Sequence, residues 1–287
     1  MKESKPQDKA NKSNVLVMGL FSLTFGKVIS KILALIFTIL CARLLGVEEF
    51  GRLGYILSVG VLLSTLPATG FPQSLLWNIQ KDSNEKTFSS KVSLAVFGSA
   101  ILFTITCFLA ILFFKDATLI IAIIFIETLS YLFINLQLSL IKPNLVAAFQ
   151  VLRNLLRALL LAFLYIQFEE EIWSMSHIVT ITFLATVMVI LLIECYTFSG
   201  LNVNFSHISF EGLAKLSKYS FPIIGSSLCF ALMFQGDVIF LAYFHSPFET
   251  GNYYAAKRLV LPIMIIPALS KGLMIPIVAG RKVPQNI

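Results

Sequence analysis

The chain has 287 residues, of which 57% are hydrophobic and 13% are charged, and its formal net charge is +7. A soluble domain carries roughly a quarter charged residues, so this composition excludes a soluble enzyme. Apolar runs of about twenty residues are long enough to cross a hydrocarbon core as helices. The sequence therefore predicts an all-α polytopic membrane protein.

We predict about eight spans, taken in chain order after a polar, basic N-terminal segment. That segment is expected to be a cytoplasmic tail, because the apolar run behind it is too long for a cleaved signal peptide. The connections are short and leave no room for an inserted soluble domain. The predicted spans are 15–42, 53–77, 92–114, 117–140, 151–168, 178–198, 219–243 and 253–280.

Charge alternates along the connections, which predicts the orientation in the membrane. One side collects lysines and arginines: Lys2, Lys5, Lys9, Lys12, Lys81, Lys86, Lys91, Lys142, Lys215, Lys218, Arg281 and Lys282. The other side offsets its cations with acids, as in the run 169–171. Basic residues concentrate in cytoplasmic loops. We therefore expect a multi-pass protein of the cell (inner or plasma) membrane with both termini in the cytoplasm, and no nucleic-acid partner.

Cysteine and histidine give no sign of catalytic or metal chemistry. The four cysteines lie in or beside apolar runs without any CxxC or Cys/His spacing, and the three histidines form no constellation. We predict no catalytic residue, no metal and no cofactor. A membrane enzyme is a less favoured alternative, because no recognisable enzyme site is present.

An internal repeat appears when the chain is shifted by 200 residues. The segment 39–51 falls on 239–251 and pairs Glu49 with Glu249 and Gly51 with Gly251. An even number of predicted spans separates the two segments, so the repeat is parallel, as in two-lobed transporters. We predict a first six-helix lobe with the N-terminal tail at residues 1–205, and the start of a second lobe, two helices, at 206–287.

Ionisable residues at membrane depth are the main candidates for function. Each costs roughly 2.5–3.5 kcal/mol to insert and normally faces a cavity or a partner. Lys27 and Lys31 lie one helical turn apart, where two cations repel each other unless an anion or shared water intervenes. A basic cavity for an anionic substrate is one interpretation, and snorkelling towards an interface is the other. The candidate lumen residues are Lys27, Lys31, Arg153, Arg157, Lys257 and Arg258.

Two acids lie at the depth of some of these cations: Asp237 near that of Lys257 and Arg258, and Glu127 near that of Lys27. Asp237 is expected to form an ion pair with Lys257 or Arg258, because all three are about six residues from the same end of adjacent spans. Glu127 lies near the middle of its span. It is interpreted either as a structural counter-ion or as a site for a coupling proton or sodium ion.

The segment ARLLGVEEFGRLGY (42–55), with YSFPIIGSSL (219–228) and FETGNYYAAKRL (248–259), resembles the Wzx-type polysaccharide flippases. These belong to the multidrug/oligosaccharidyl-lipid/polysaccharide exporter superfamily. The resemblance implies a transporter, not an enzyme, that moves lipid-linked oligosaccharide, of the undecaprenyl-pyrophosphate type, to the outer leaflet by alternating access through a cationic lumen. Surface polysaccharides such as the O-antigen of lipopolysaccharide are assembled from such substrates.

The partners implied are the lipid-linked oligosaccharide, membrane lipid, and the polysaccharide polymerase with its chain-length machinery. Such proteins have twelve or more spans, so a chain with eight is expected to be C-terminally truncated. The alternatives are half of a split transporter, an inactive fragment, or a multidrug exporter of the same superfamily. A membrane polysaccharide polymerase or ligase is a less favoured alternative.

Overall fold

The computed structural model describes residues 6–79, 85–139, 143–167, 174–197 and 210–260, which form helices joined by short connections. Six of these helices are long and apolar enough to cross a membrane. The protein is therefore an all-α polytopic membrane protein, as the composition predicts. The helices are α1 (Pro6–Ile79), α2 (Glu85–Phe113), α3 (Ala117–Ser139), α4 (Pro143–Gln167), α5 (Met175–Thr197), α6 (Phe210–Phe244) and α7 (Pro247–Val260).

Helix α1 contains the first two predicted spans. It breaks at Gly46, whose backbone has φ 71° and ψ 172°. Glycine has no Cβ and adopts this left-handed φ without strain. The break separates an N-terminal arm (residues 6–45) from a C-terminal arm (residues 47–79), and it replaces the loop expected between two spans.

The start of α7 lies at the position that the repeat makes equivalent to this break. Ser246 corresponds to Gly46, and its hydroxyl accepts a hydrogen bond from the Glu249 backbone N–H at 3.3 Å. Pro247 occupies the first helical position, where its missing N–H has no intrahelical partner to lose. A glycine with positive φ in α1 and a serine cap followed by proline in α7 thus begin a helix at equivalent points of the repeat. The rest of the eighth predicted span, beyond Val260, lies outside the described residues.

Close packing of α1 against its neighbours organises the bundle. Helices α2, α3, α4, α6 and α7 all contact α1. A Cβ at Gly54 would lie 2.7 Å from the ring of Tyr254, and one at Gly60 would lie 2.6 Å from Ile123. Since real Cβ atoms do not approach so closely, these glycines allow α7 and α3 to lie directly on the C-terminal arm.

The buried core and the outer surface are both apolar, as lipid requires. The largest cluster of buried side chains joins α1 to α3, α4, α5 and α7 and includes Phe50, Ile124 and Tyr254. Outward-facing Phe113 and Ile166 are 74% and 79% exposed. Several polar side chains within spans bond to their own helix, as Thr128 does to the Ile124 carbonyl at 2.7 Å. Such bonds satisfy groups that hydrocarbon cannot.

The two segments that the repeat pairs touch each other reciprocally. A Cβ at Gly51 would overlap the carbonyl oxygen of Pro247, and a Cβ at Gly251 would overlap the carbonyl oxygen of Val47. The shift of 200 residues exchanges these two contacts, so each segment contacts the other through equivalent residues. We call residues 47–51 and 247–251 together the glycine junction. The division into lobes at residue 205 stays a prediction.

Candidate functional site

Arginines of α4 and α7 and a lysine of α1 converge at membrane depth. Lys31 lies within electrostatic range of Arg153, Arg157 and Arg258, and the same space contains Glu127. We call these five residues the cationic cluster. It brings four cations towards a single acid among the described residues, and it contains four of the six candidate lumen residues.

The cluster lies several turns from the ends of its helices on one side of the bundle, and Arg258 lies two residues before the last described residue of α7. Arg157 is separated from Ile166, where its span ends, by about 14 Å of helix rise, and Arg258 is about 16 Å from the start of α7. Lys31 lies about 21 Å from the end of the N-terminal arm. A charge so deep is stabilised only by a polar cavity or a partner.

Aromatic rings and two hydroxyl groups hold the arginines in place, because Arg258 donates to the Tyr254 hydroxyl as well as lying over its ring. The guanidinium carbons of Arg157 and Arg258 lie 4.6 Å and 4.7 Å from the ring centroids of Phe37 and Tyr254. Cation–π contacts of this kind contribute about 0.5–2 kcal/mol. Arg153 donates to the Ser130 hydroxyl of α3 at 2.7 Å. Neither the rings nor the hydroxyl groups carry a negative charge, so these contacts do not pair the guanidinium groups with an anion.

Each arginine of the cluster retains donor capacity. The Nε atoms of Arg153, Arg157 and Arg258 are buried and have no hydrogen-bond partner among the described residues. A buried donor without a partner costs about 1–3 kcal/mol. The cluster is therefore short of acceptors as well as short of negative charge, and both shortages would be relieved by an oxyanion.

Lys27 and Lys31 are both exposed on the N-terminal arm. They differ in their surroundings, because only Lys31 shows charge interactions with the arginines. The structure brings Lys31 into the cluster and leaves Lys27 one turn away from it. The roles of both residues in a lumen stay predictions.

Lys257 lies in a closed ion pair next to the cluster. Its ammonium contacts Asp237 Oδ1 at 2.5 Å and also donates to the carbonyl of Phe234. Tyr253 donates its hydroxyl to Asp237 Oδ2 at 2.6 Å. The expected pairing of Asp237 with a cation of the next span is thus present. Lys257 is neutralised by it, and Arg258 is the residue of α7 that adds charge to the cluster.

Sequence reasoning overlooked the uncharged residues that support the cluster. Ser130 holds Arg153, and Ser30 and Asn154 connect α1 to α4 between the charged positions. The one available signal is Asn154 itself, a polar residue between two arginines in an otherwise apolar run. No group of three or more metal-ligating side chains occurs among the described residues.

This fold and this cluster define a class: polytopic helical membrane proteins that keep several cations within the membrane. Residues 16–279 match a family described as "Polysaccharide biosynthesis protein". The chain belongs to this family. Comparison with curated proteins and with solved structures gives no match for this chain.

Proposed function

We propose that the protein is a Wzx-type flippase, which moves lipid-linked oligosaccharide from the cytoplasmic to the outer leaflet during assembly of a surface polysaccharide. Family membership and the membrane helices support a transport role in polysaccharide biosynthesis. The observation that carries the choice of substrate is the cationic cluster, with its excess of positive charge and its unpartnered guanidinium donors.

The chemistry of the cluster suits a phosphate or pyrophosphate that links a glycan to a lipid. Guanidinium groups form charge-assisted hydrogen bonds with phosphate oxygens, often in pairs. The lipid portion stays in the bilayer, and the anionic head alone requires a polar route. Arg157 and Arg258 come from different helices, so a head group between them is held from two sides.

The test compares charge-neutralising variants in cells that lack the gene. Without the protein, lipid-linked glycan should accumulate on the cytoplasmic face. The variant K31Q/R157Q should restore surface polysaccharide at least about tenfold less rapidly than the parent, because each lost charged hydrogen bond contributes about 1.5–3 kcal/mol. The matched control is K115Q, which removes an exposed lysine of the α2–α3 turn and should restore the parent level.

Two results would contradict the proposal. Surface polysaccharide that persists in the deletion strain would remove the flippase role. Increased sensitivity of that strain to organic cations, with polysaccharide intact, would favour a multidrug exporter. That alternative is expected to prefer an acidic lumen, whereas Glu127 is the single acid among the cations of the cluster.

A further inference from the structure

A buried hydrogen-bonded pair joins α1 to α4 beside the cationic cluster. The Asn154 amide donates to the carbonyl oxygen of Ser30 at 2.9 Å and to the Ser30 hydroxyl oxygen at 2.5 Å. The Ser30 hydroxyl lies 3.2 Å from the Gln150 carbonyl, to which it donates. Asn154 is 5% exposed and Ser30 is 7% exposed. We call this pair the Ser30–Asn154 clasp.

The clasp is the polar centre of a continuous seam. On one side of it, Gly26 packs against Ala147, and on the other side Arg157 lies over Phe37. The contacts advance in the same direction on both helices, so the N-terminal arm and α4 run parallel. Apolar packing alone tolerates small sliding and rotation of one helix on another. A hydrogen-bonded polar pair in an apolar seam specifies register, as single buried asparagines do in coiled coils.

The sequence neighbours of the clasp are the charged residues themselves. Lys31 follows Ser30 directly, Arg153 precedes Asn154, and Arg157 lies three residues further along α4. A shift of one residue between the helices would move Lys31 by about 1.5 Å along the axis and turn it by about 100°. The register of this seam therefore determines whether Lys31 and Arg157 face the same space.

We propose that Asn154, acting through Ser30, is a positioning residue that sets the geometry of the anion site. This inference rests on the proposed function, since it assigns Asn154 an effect on ligand binding through Lys31 and Arg157. The Asn154 Oδ1 atom is buried and has no partner among the described residues. If Asn154 served only stability, an apolar side chain at this position would serve better, because the unpartnered oxygen of Asn154 lowers the stability of the folded protein.

The experiment measures binding of inorganic pyrophosphate to the purified full chain by calorimetry. N154L should weaken binding about five- to tenfold, the scale on which residues act on a site through packed neighbours. S30A should weaken it less, because the bond from Asn154 to the Ser30 carbonyl remains. The matched control is N135L. Asn135 is equally buried, at 5% exposed, but its amide bonds to Tyr131 of its own helix, so N135L should bind within about a factor of two of the parent.

A double-mutant cycle separates positioning from general damage. If Asn154 acts through Arg157, N154L should weaken binding far less in an R157Q background than in the parent. Equal weakening by N154L in both backgrounds, or an N154L variant that binds like N135L, would overturn the inference. If N154L does not yield folded protein, S30A replaces it in the same cycle, judged by the same outcomes.

Failure of the proposed function gives a different result. A parent chain that binds no pyrophosphate, or an R157Q variant that binds it as tightly as the parent, would overturn the anion site and the positioning role together. Weakened binding in R157Q with no effect of N154L or S30A would overturn the positioning role alone.

Discussion

At the scale of single residues, the decisive distinction is between cations that have a counter-ion and cations that lack one. Lys257 and Asp237 form a pair that Tyr253 completes. Arg157 and Arg258, at similar depth, are held by aromatic rings instead. An aromatic face stabilises a guanidinium without neutralising it, so the positive charge remains available to a ligand.

The paired and unpaired cations should respond differently to substitution. K257M leaves Asp237 without its ion-pair partner and should lower the free energy of unfolding by about 1–3 kcal/mol, the penalty for an unsatisfied polar group. D237N/K257M should be less destabilising than K257M, because both charges leave together. Thermal unfolding in detergent measures the difference. A double variant less stable than K257M would show that the pair contributes more than mutual neutralisation.

At the scale of helices, the glycine junction is the tightest contact between α1 and α7. Each glycine lies against a backbone carbonyl of the other segment and leaves no space for a methyl group. The contact lies at the N-terminal end of α7. The buried ring of Tyr254 lies one turn further along, against Gly54 and Phe50. The junction and this aromatic pair therefore fix the position of α7 on α1.

Alanine at the junction should act with the opposite sign to alanine elsewhere in a helix. G51A and G251A should each lower the free energy of unfolding by about 1–3 kcal/mol, because the added methyl group forces the helices apart. G236A is the matched control. A Cβ at Gly236 of α6 has no neighbour within 4 Å among the described residues, so this change should be neutral or raise stability by about 0.5–1 kcal/mol.

Thermal unfolding of the three alanine variants checks this prediction. Equal stability of G51A and G236A would mean that the two segments do not touch in the folded protein. Loss of stability in G51A but not in G251A would contradict the reciprocal character of the contact.

Helix boundaries show what the sequence determines locally. The predicted span 117–140 agrees with α3 at Ala117–Ser139, because the charged turn 115–116 precedes it and a basic, proline-containing segment follows. For α4 we predicted a start at 151, and the helix begins at Pro143. The polar residues around 150–154 resemble a loop in hydropathy, whereas they lie in a helix whose polar side faces other helices.

The sequence predicts most of the residues that form the cluster, but it does not predict how they contact one another. Depth along each span identifies Lys31, Arg153 and Arg157 as unusual, since it follows from position in the sequence. Helix rotation does not follow from it, and rotation decides that Arg153 meets Ser130. Packing along the helix axis decides that Lys31 meets the arginines and that Lys27, one turn away, does not. For the same reason, the sequence left open whether Lys257 or Arg258 pairs with Asp237.

At the scale of the whole molecule, the orientation in the membrane is a prediction from the sequence. The distribution of basic residues predicts that both termini are cytoplasmic. The α2–α3 turn and the start of α4 lie at opposite ends of α3. Single cysteines at Lys115 and Asn144, both exposed, would therefore report opposite faces.

Labelling with a membrane-impermeant maleimide tests this orientation. In a chain whose four native cysteines have been replaced, K115C should react in intact cells and N144C only after the membrane is permeabilised. The reverse pattern would invert the assigned topology and the direction of the proposed transport. Reaction of both positions in intact cells would contradict the predicted alternation.

The cations of the cluster come from different helices, and this has a thermodynamic consequence. Arg258 belongs to α7, whereas Arg153 and Arg157 belong to α4, so the site is complete only while both helices are packed on α1. With the site empty, mutual repulsion favours their separation. A bound oxyanion reverses that preference, since a ligand stabilises whichever conformation binds it more tightly. Ligand binding and the packing of these helices are therefore coupled: the ligand favours the packed arrangement, and the packed arrangement raises the affinity for the ligand by the same factor.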